Sequence, residues 1–171
     1  MNRFMLAVLM VLGFTRALAA SDAALLAELR NPGHPEAHRI VSGAIDASDL
    51  QRLRAAGLKH VINLRTPEET PAFNEARMAR VLDLDYHAIP IKGPTSLTRE
   101  NAARLDDALR KTAGEPTLIH CASANRVGAL IALRAAWIQG APVDAAIAEG
   151  KRWGLTTLEV AVRQALESEK D

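Results

Sequence analysis

The sequence predicts an α/β fold in which a mainly parallel sheet is flanked by helices. Three observations carry that expectation. Short apolar, β-branched-rich runs recur at Arg39–Ser42, His60–Arg65, Tyr86–Ile91 and Thr117–His120. The segments between them show helical spacing and capping residues, and each is long enough for the crossover that parallel strands require. One helical stretch, Val127 to Gln139, is apolar nearly all the way round, the pattern of a helix buried on every side.

The elements follow in order. Residues 1–20 read as a secretory signal peptide: Arg3, then the apolar run Met5–Phe14, then small residues at Ala17 and Ala19. That run is too short to cross a hydrocarbon core, which takes about 20 residues. Its removal takes away Arg3 and Arg16 and no acid, turning the formal charge from +1 to −1. Residues 21–171 then form a single domain, placed in the periplasm or secreted, with no stable membrane insertion after cleavage. Asp22 to Arg30 predicts a short helix, and Asn31-Pro-Gly-His-Pro35 a turn cluster. After the strand Arg39–Ser42, Asp46 offers an N-cap, Asp49 a first-turn acid, and Gly57 a stop, giving a helix over 47–56 with Leu50 and Leu53 inward.

His60–Arg65 before Thr66-Pro67 is a buried strand, 74–82 a helix, Tyr86–Ile91 a strand and Lys92–Thr95 a loop. Thr98 opens a helix to about Lys111, with Leu105 and Leu109 at helical spacing. Thr117–His120 is a strand, and the polar stretch Cys121–Arg126 links it to the apolar helix 127–139, which Gly140 ends. A short helix spans 143–149, and Thr156-Thr-Leu-Glu159 reads as a capping box opening a last helix to about Glu167. Trp137 and Trp153 are assigned to the core.

Composition narrows the function. With 171 residues, 49% of them hydrophobic and 24% charged, the chain can bury a core, which excludes disorder. The 21 basic and 20 acidic side chains nearly cancel without long like-charge blocks, so nothing points to nucleic acid. The single cysteine excludes an internal disulfide framework and a cysteine zinc cluster. His34 and His38 stand four apart, but Pro35 forbids the helix that would align them, and no metal or cofactor is expected.

The chemistry gathers where the strand 117–120 meets the following helix. Ligands of open α/β sheets bind beyond the carboxyl ends of the strands. A loop there can turn its N–H groups inward as an anion nest, and the helix N-terminus adds partial positive charge. Those fields, together with Arg126, favour a Cys121 thiolate and should hold its pKa below the usual value of about 8.5. Arg126 brings a planar fork that grips two oxygens of a phosphate, and Ala122, Ser123, Ala124 and Asn125 supply the backbone of the cradle. The competing reading of Cys121 is a buried small hydrophobe. Against it, a polar loop between two apolar elements has no packing reason to end in Arg, and an exported chain that keeps an unpaired cysteine exposes it to oxidation. Asn63 and Arg65 are placed at a strand end near this loop, Arg65 either holding substrate or making an ion pair.

The stretch Leu118-Ile-His-Cys-Ala-Ser-Ala-Asn-Arg-Val-Gly-Ala129 resembles the active-site loop of a bacterial phosphatase-like family related to dual-specificity protein phosphatases and found in beta-lactamase-hydrolase-like proteins. The resemblance extends through Ser42–Leu50, Gly57–Arg65 with Pro67-Glu68, and Tyr86–Ile91, covering roughly residues 38 to 155. It implies a dual-specificity-phosphatase-like fold. It further implies that Cys121 is the nucleophile that becomes a phosphocysteine, that Arg126 binds the phosphoryl oxygens, and that His120 orients the loop and lowers the cysteine pKa. The substrate would be a phosphorylated small molecule or phosphoprotein, with phosphotyrosine among the candidates.

Three positions depart from the phosphatase pattern. Four residues separate Cys121 from Arg126 where those phosphatases have five; Ala124 replaces a glycine at a position that favours positive φ; and Val127 stands where a Ser or Thr assists the leaving thiolate. Ser123 either substitutes for that hydroxyl or caps the loop backbone. The loop after Ile91 lacks the usual aspartate, which leaves Glu68 and Glu69 as candidates for the general acid by position alone, against a reading as solvated loop charges. Two further functions stay open: a rhodanese-type sulfurtransferase, whose active loop also has four intervening residues, and a non-catalytic phosphate- or anion-binding pseudo-phosphatase.

Overall fold

The computed structural model describes residues 26–70 and 73–168. The expected signal peptide, and the first part of the expected 22–30 helix, lie outside the described residues. Five strands form one sheet: β1 (Gly33–Glu36), β2 (Arg39–Ser42), β3 (His60–Asn63), β4 (Asp85–Ala88) and β5 (Thr117–His120), in the order β1-β2-β5-β3-β4. The β2-β5-β3-β4 portion is parallel, so the predicted α/β class holds. Its register sets His120 opposite both Ser42 and Asn63, and Asn63 opposite Ala88. The carboxyl ends of all four strands therefore finish in one row.

Six helices are described: α1 (Ala47–Ala55), α2 (Glu75–Val81), α3 (Arg99–Lys111), α4 (Asn125–Trp137), α5 (Val143–Arg152) and α6 (Glu159–Ser168). Side chains cap the first three. Asp46 Oδ1 accepts from the N–H groups of Ser48 and Asp49 at 2.8 and 2.9 Å, and Asp49 answers by accepting from Asp46 N at 2.9 Å. Asn74 and Thr98 cap α2 and α3 through Arg77 N and Asn101 N.

The sheet is covered on both faces. Leu118 and Val61 pack with Leu50, Leu53 and Ala79 of α1 and α2; Val41, Ile62 and Ile119 pack with Leu105, Leu130, Leu133 and Val162 on the other side. Alternation along β5 thus turns His120 toward the α2 face and Cys121 toward the α4 face.

Five expectations are corrected. The 31–35 turn is instead the edge strand β1, antiparallel to β2; an edge strand tolerates the missing N–H of Pro35, and the reversal falls at His38, whose φ is 62°. The β4 strand begins at Asp85 and ends at Ala88, although Ile89 N and Ile91 N still donate to Asn63 O and Leu64 O. The helix α4 starts at Asn125, placing Arg126 in its first turn, and α5 continues to Arg152. Finally, α6 begins at Glu159 without the Thr156 capping box. Its approach is held by Asn125 Oδ1, which accepts from Thr156 N at 2.8 Å and Leu158 N at 3.4 Å.

Every residue of α4 from Val127 to Leu133 is buried, as its all-round apolar sequence requires. Gly128 permits the close approach: a Cβ there would stand 2.1 Å from Leu155 N and 2.5 Å from Gly150 O, both backbone atoms. Gly128→Ala is expected to destabilise the protein by about 3 kcal/mol or more, because neither backbone atom can yield as a flexible side chain would. Urea unfolding measures this, and an unchanged midpoint would show that the helix contact is loose.

Candidate active site

The loop Cys121–Arg126 leaves the sheet at the centre of the row of strand ends. Cys121 N donates to Ser42 O at 3.3 Å, Ala44 N donates to Ala122 O at 3.0 Å, and Ser123 lies bridged against Gly43. The loop is thereby pinned along β2 as well as β5. Ala122 and Ser123 are exposed and Cys121 is fully enclosed, 0% exposed among apolar neighbours. Ala124 has φ 67° and ψ −16°. A residue with a Cβ pays roughly 1–2 kcal/mol in that left-handed region, so the alanine that stands in place of glycine is a real strain. Gly154, itself at φ 97°, makes room for it, since a Cβ on Gly154 would lie 2.7 Å from that of Ala124.

Helix α4 opens directly from this loop with no side-chain cap and no acid in its first turn. The N–H groups of Asn125, Arg126 and Val127 have no intrahelical partner by helix geometry, and a cation at that end opposes the macrodipole. An uncapped N-terminus that carries Arg126 is arranged for an anion rather than for helix stability. The Asn125 side chain is committed elsewhere, with Nδ2 donating to Thr157 Oγ1 at 2.7 Å and Oδ1 serving α6. What Asn125 can offer a substrate is its backbone N–H.

Arg126 is held on one edge. Nη1 donates to Ile91 O at 2.6 Å and Glu69 Oε2 at 2.7 Å, and Nη2 donates to Glu69 Oε1 at 2.5 Å. Glu69 takes the end of the guanidinium. The Nε and second Nη2 N–H groups, which lie parallel on the adjacent edge, make no hydrogen bond to a protein oxygen among the described residues. The bond with Glu69 raises the Arg126 pKa above its ordinary value despite burial, and the charge of Cys121 adds to it. That same bond holds the Glu69 carboxyl at about 2, with Thr66 N also donating to Oε2 at 2.8 Å. Glu69 therefore carries no proton near neutral pH. Glu68 is exposed, its pKa lowered by the Thr66 hydroxyl. Arg65 lies alongside, Nη2 donating to Glu69 O.

Behind the loop runs a buried polar chain that the sequence did not disclose. His120 Nε2 is 2.7 Å from Glu75 Oε1, and Glu75 Oε2 accepts from Asn63 Nδ2 at 3.3 Å. Asn63 Nδ2 also donates to the Tyr86 hydroxyl at 2.8 Å, while its Oδ1 accepts from Arg65 N at 2.7 Å. Burial, and then the Glu75 charge, push the Tyr86 phenol up. His120 Nδ1 is buried with no partner. Glu75 lies in the first turn of α2, and the packing of that helix against the sheet brings it to His120.

No family model and no curated protein sequence matches the chain. Solved structures do share its fold. A candidate phosphatase of the DUF442 class from Shewanella putrefaciens superposes with a TM-score of 0.63 at 20% identity, covering 85% of this chain and 97% of that one. Kinase-associated phosphatase, solved with its catalytic-site cysteine replaced by serine, gives 0.59 at 16% identity over 77% and 85% of the two chains. TpbA from P. aeruginosa in complex with phosphotyrosine gives 0.50 at 17% identity over 78% and 79%. The chain has the fold of dual-specificity and tyrosine phosphatases.

Proposed function

We propose that the chain is an exported cysteine-dependent phosphatase that hydrolyses aryl phosphomonoesters of the phosphotyrosine kind. One observation carries this reading: the edge of the Arg126 fork that meets no protein oxygen among the described residues, the uncapped start of α4 and Cys121 share one loop at the carboxyl end of the central strand. The bound phosphotyrosine in the TpbA neighbour and the catalytic cysteine of kinase-associated phosphatase support it. In the reaction, Cys121 Sγ forms a bond to phosphorus as the ester oxygen leaves with the bonding electrons, and water then cleaves the phosphocysteine to release phosphate. The enclosed thiol requires the loop or the Glu69 turn to yield before that attack.

The four-residue loop favours a second reading, a rhodanese-type transfer of sulfane sulfur through a persulfide on Cys121. Purified protein lacking residues 1–20 is to be assayed side by side with p-nitrophenyl phosphate and with thiosulfate plus cyanide. We expect phosphate release that Cys121→Ser abolishes, and protection of Cys121 from iodoacetamide by millimolar vanadate. Thiocyanate formation without phosphate release would establish the sulfurtransferase; protection by oxyanions with neither activity would establish a non-catalytic anion binder.

A further inference from the structure

We infer that Glu75 is a positioning residue for phosphoryl transfer, clamping through His120 and Asn63 the two strand ends from which the Cys loop and the seat of Arg126 are built. The inference rests on the phosphatase reading and deepens it.

Glu75 is 2% exposed. An acid in the first turn of a helix already gains from the macrodipole at the surface, so α2 has no need to bury one. Burying a carboxylate is costly unless its partners are well placed, and replacing both members of a buried pair by apolar groups is often as stable or more so. The partners of Glu75 are the last residues of β5 and β3, His120 and Asn63. Through Asn63 it also reaches Tyr86 on β4. The His120 ring has no other side-chain tether among the described residues, because Nδ1 is buried without a partner.

From this clamp two short paths lead to the reacting groups. His120 is joined to Cys121 by one peptide bond, and its carbonyl accepts from Leu64 N at 2.9 Å. Leu64 O in turn accepts from Ile91 N at 3.0 Å, and Ile91 O receives Arg126 Nη1 at 2.6 Å. The His120 ring lies across the sheet from the Cys121 side chain, so Glu75 acts on the backbone placement of nucleophile and fork and touches neither. A misplacement of about 1 Å between such groups can cost on the order of 10²-fold in rate.

The test is steady-state kinetics with p-nitrophenyl phosphate, together with thermal unfolding, on Glu75→Gln, Glu75→Leu, His120→Asn and the Glu75→Gln/His120→Asn pair. We expect kcat to fall at least about tenfold in each Glu75 variant with KM within about twofold, Glu75→Gln, which keeps an oxygen for Asn63, to unfold close to the parent protein, and Glu75→Leu to unfold earlier because it leaves the buried His120 ring without a partner. The double variant should be no slower than His120→Asn alone, since both changes cut one tether. Glu75 variants that keep the parental kcat, or losses that multiply in the double variant, would overturn the positioning role. A kcat loss that tracks lost thermal stability across the variants would also overturn it, leaving Glu75 a folding residue. A parent protein that releases no phosphate overturns the phosphatase reading itself, and this inference with it.

Discussion

Arg126→Lys lowers turnover of an aryl phosphate by at least about 10²-fold, the scale seen when a donor to the transition state is removed. The loss follows from which edge of the guanidinium is already engaged. Glu69 and the Ile91 carbonyl take the Nη1–Nη2 end, fixing the plane of the fork and leaving the Nε–Nη2 edge for two phosphoryl oxygens. A lysine ammonium can satisfy Glu69 as a point charge but cannot present two further parallel donors at the same time. The fold should survive, because the ion pair with Glu69 is retained. The Glu69 pKa is depressed from 4.5 to about 2, so this pairing stabilises the native state fully above the ordinary carboxylate range and is lost only as the pH falls toward 2. Kinetics at neutral pH, with circular dichroism as a control for folding, separate the two roles: a variant of near-parental activity would make Arg126 a structural seat for Glu69.

Much of the scaffold is legible in the sequence because its signals are local. Arg39–Ser42 and Thr117–His120 are strands to the residue, and Asp46 and Thr98 open the helices that follow them. The errors occur where a local signal had a second physical solution. Pro35 and Gly33 read as turn residues, yet an edge strand accepts both, and the reversal moved to His38. Thr156-Thr-Leu-Glu159 has the letters of a capping box, but Asn125, thirty-one residues earlier, supplies the acceptor.

The site divides in the same way. Cys121 and Arg126 fall within one six-residue stretch, and a parallel sheet alone sets that stretch beyond a strand end. The positive φ at Ala124 follows from the shape of the loop, and its accommodation by Gly154 does not. Topology sets Glu69 on this rim and does not give its partner, Arg126. Glu75 was invisible, since its contact with His120 spans 45 residues and depends on the register of three strands.

Hydrolysis should depend steeply on the leaving group, with p-nitrophenyl phosphate turned over measurably and serine-type alkyl phosphates slower by a further 10² to 10⁴-fold, about the contribution of a positioned general acid. The departing oxygen of a nitrophenolate hardly needs a proton, whereas an alkoxide does. Among the described residues, no carboxyl at the active end of the sheet is set to provide one. Glu69 is ionised against Arg126, and Glu68 is exposed with its pKa lowered by the Thr66 hydroxyl. The segment from Lys92 to Leu97 contains no acid, and Asp85 lies at the opposite end of the sheet, 3.3 Å from His60. The measurement is rate against leaving-group pKa for the parent protein, Glu68→Gln and Glu69→Gln. Glu68→Gln is expected to leave the line unchanged. Glu69→Gln should lower it in parallel, because freeing Arg126 weakens its hold on the phosphoryl oxygens whatever group departs. A steeper line in either variant would identify that glutamate as the acid after all. A flat line in the parent protein, unmoved by both substitutions, would mean that an efficient proton donor stands outside the carboxylates at this rim.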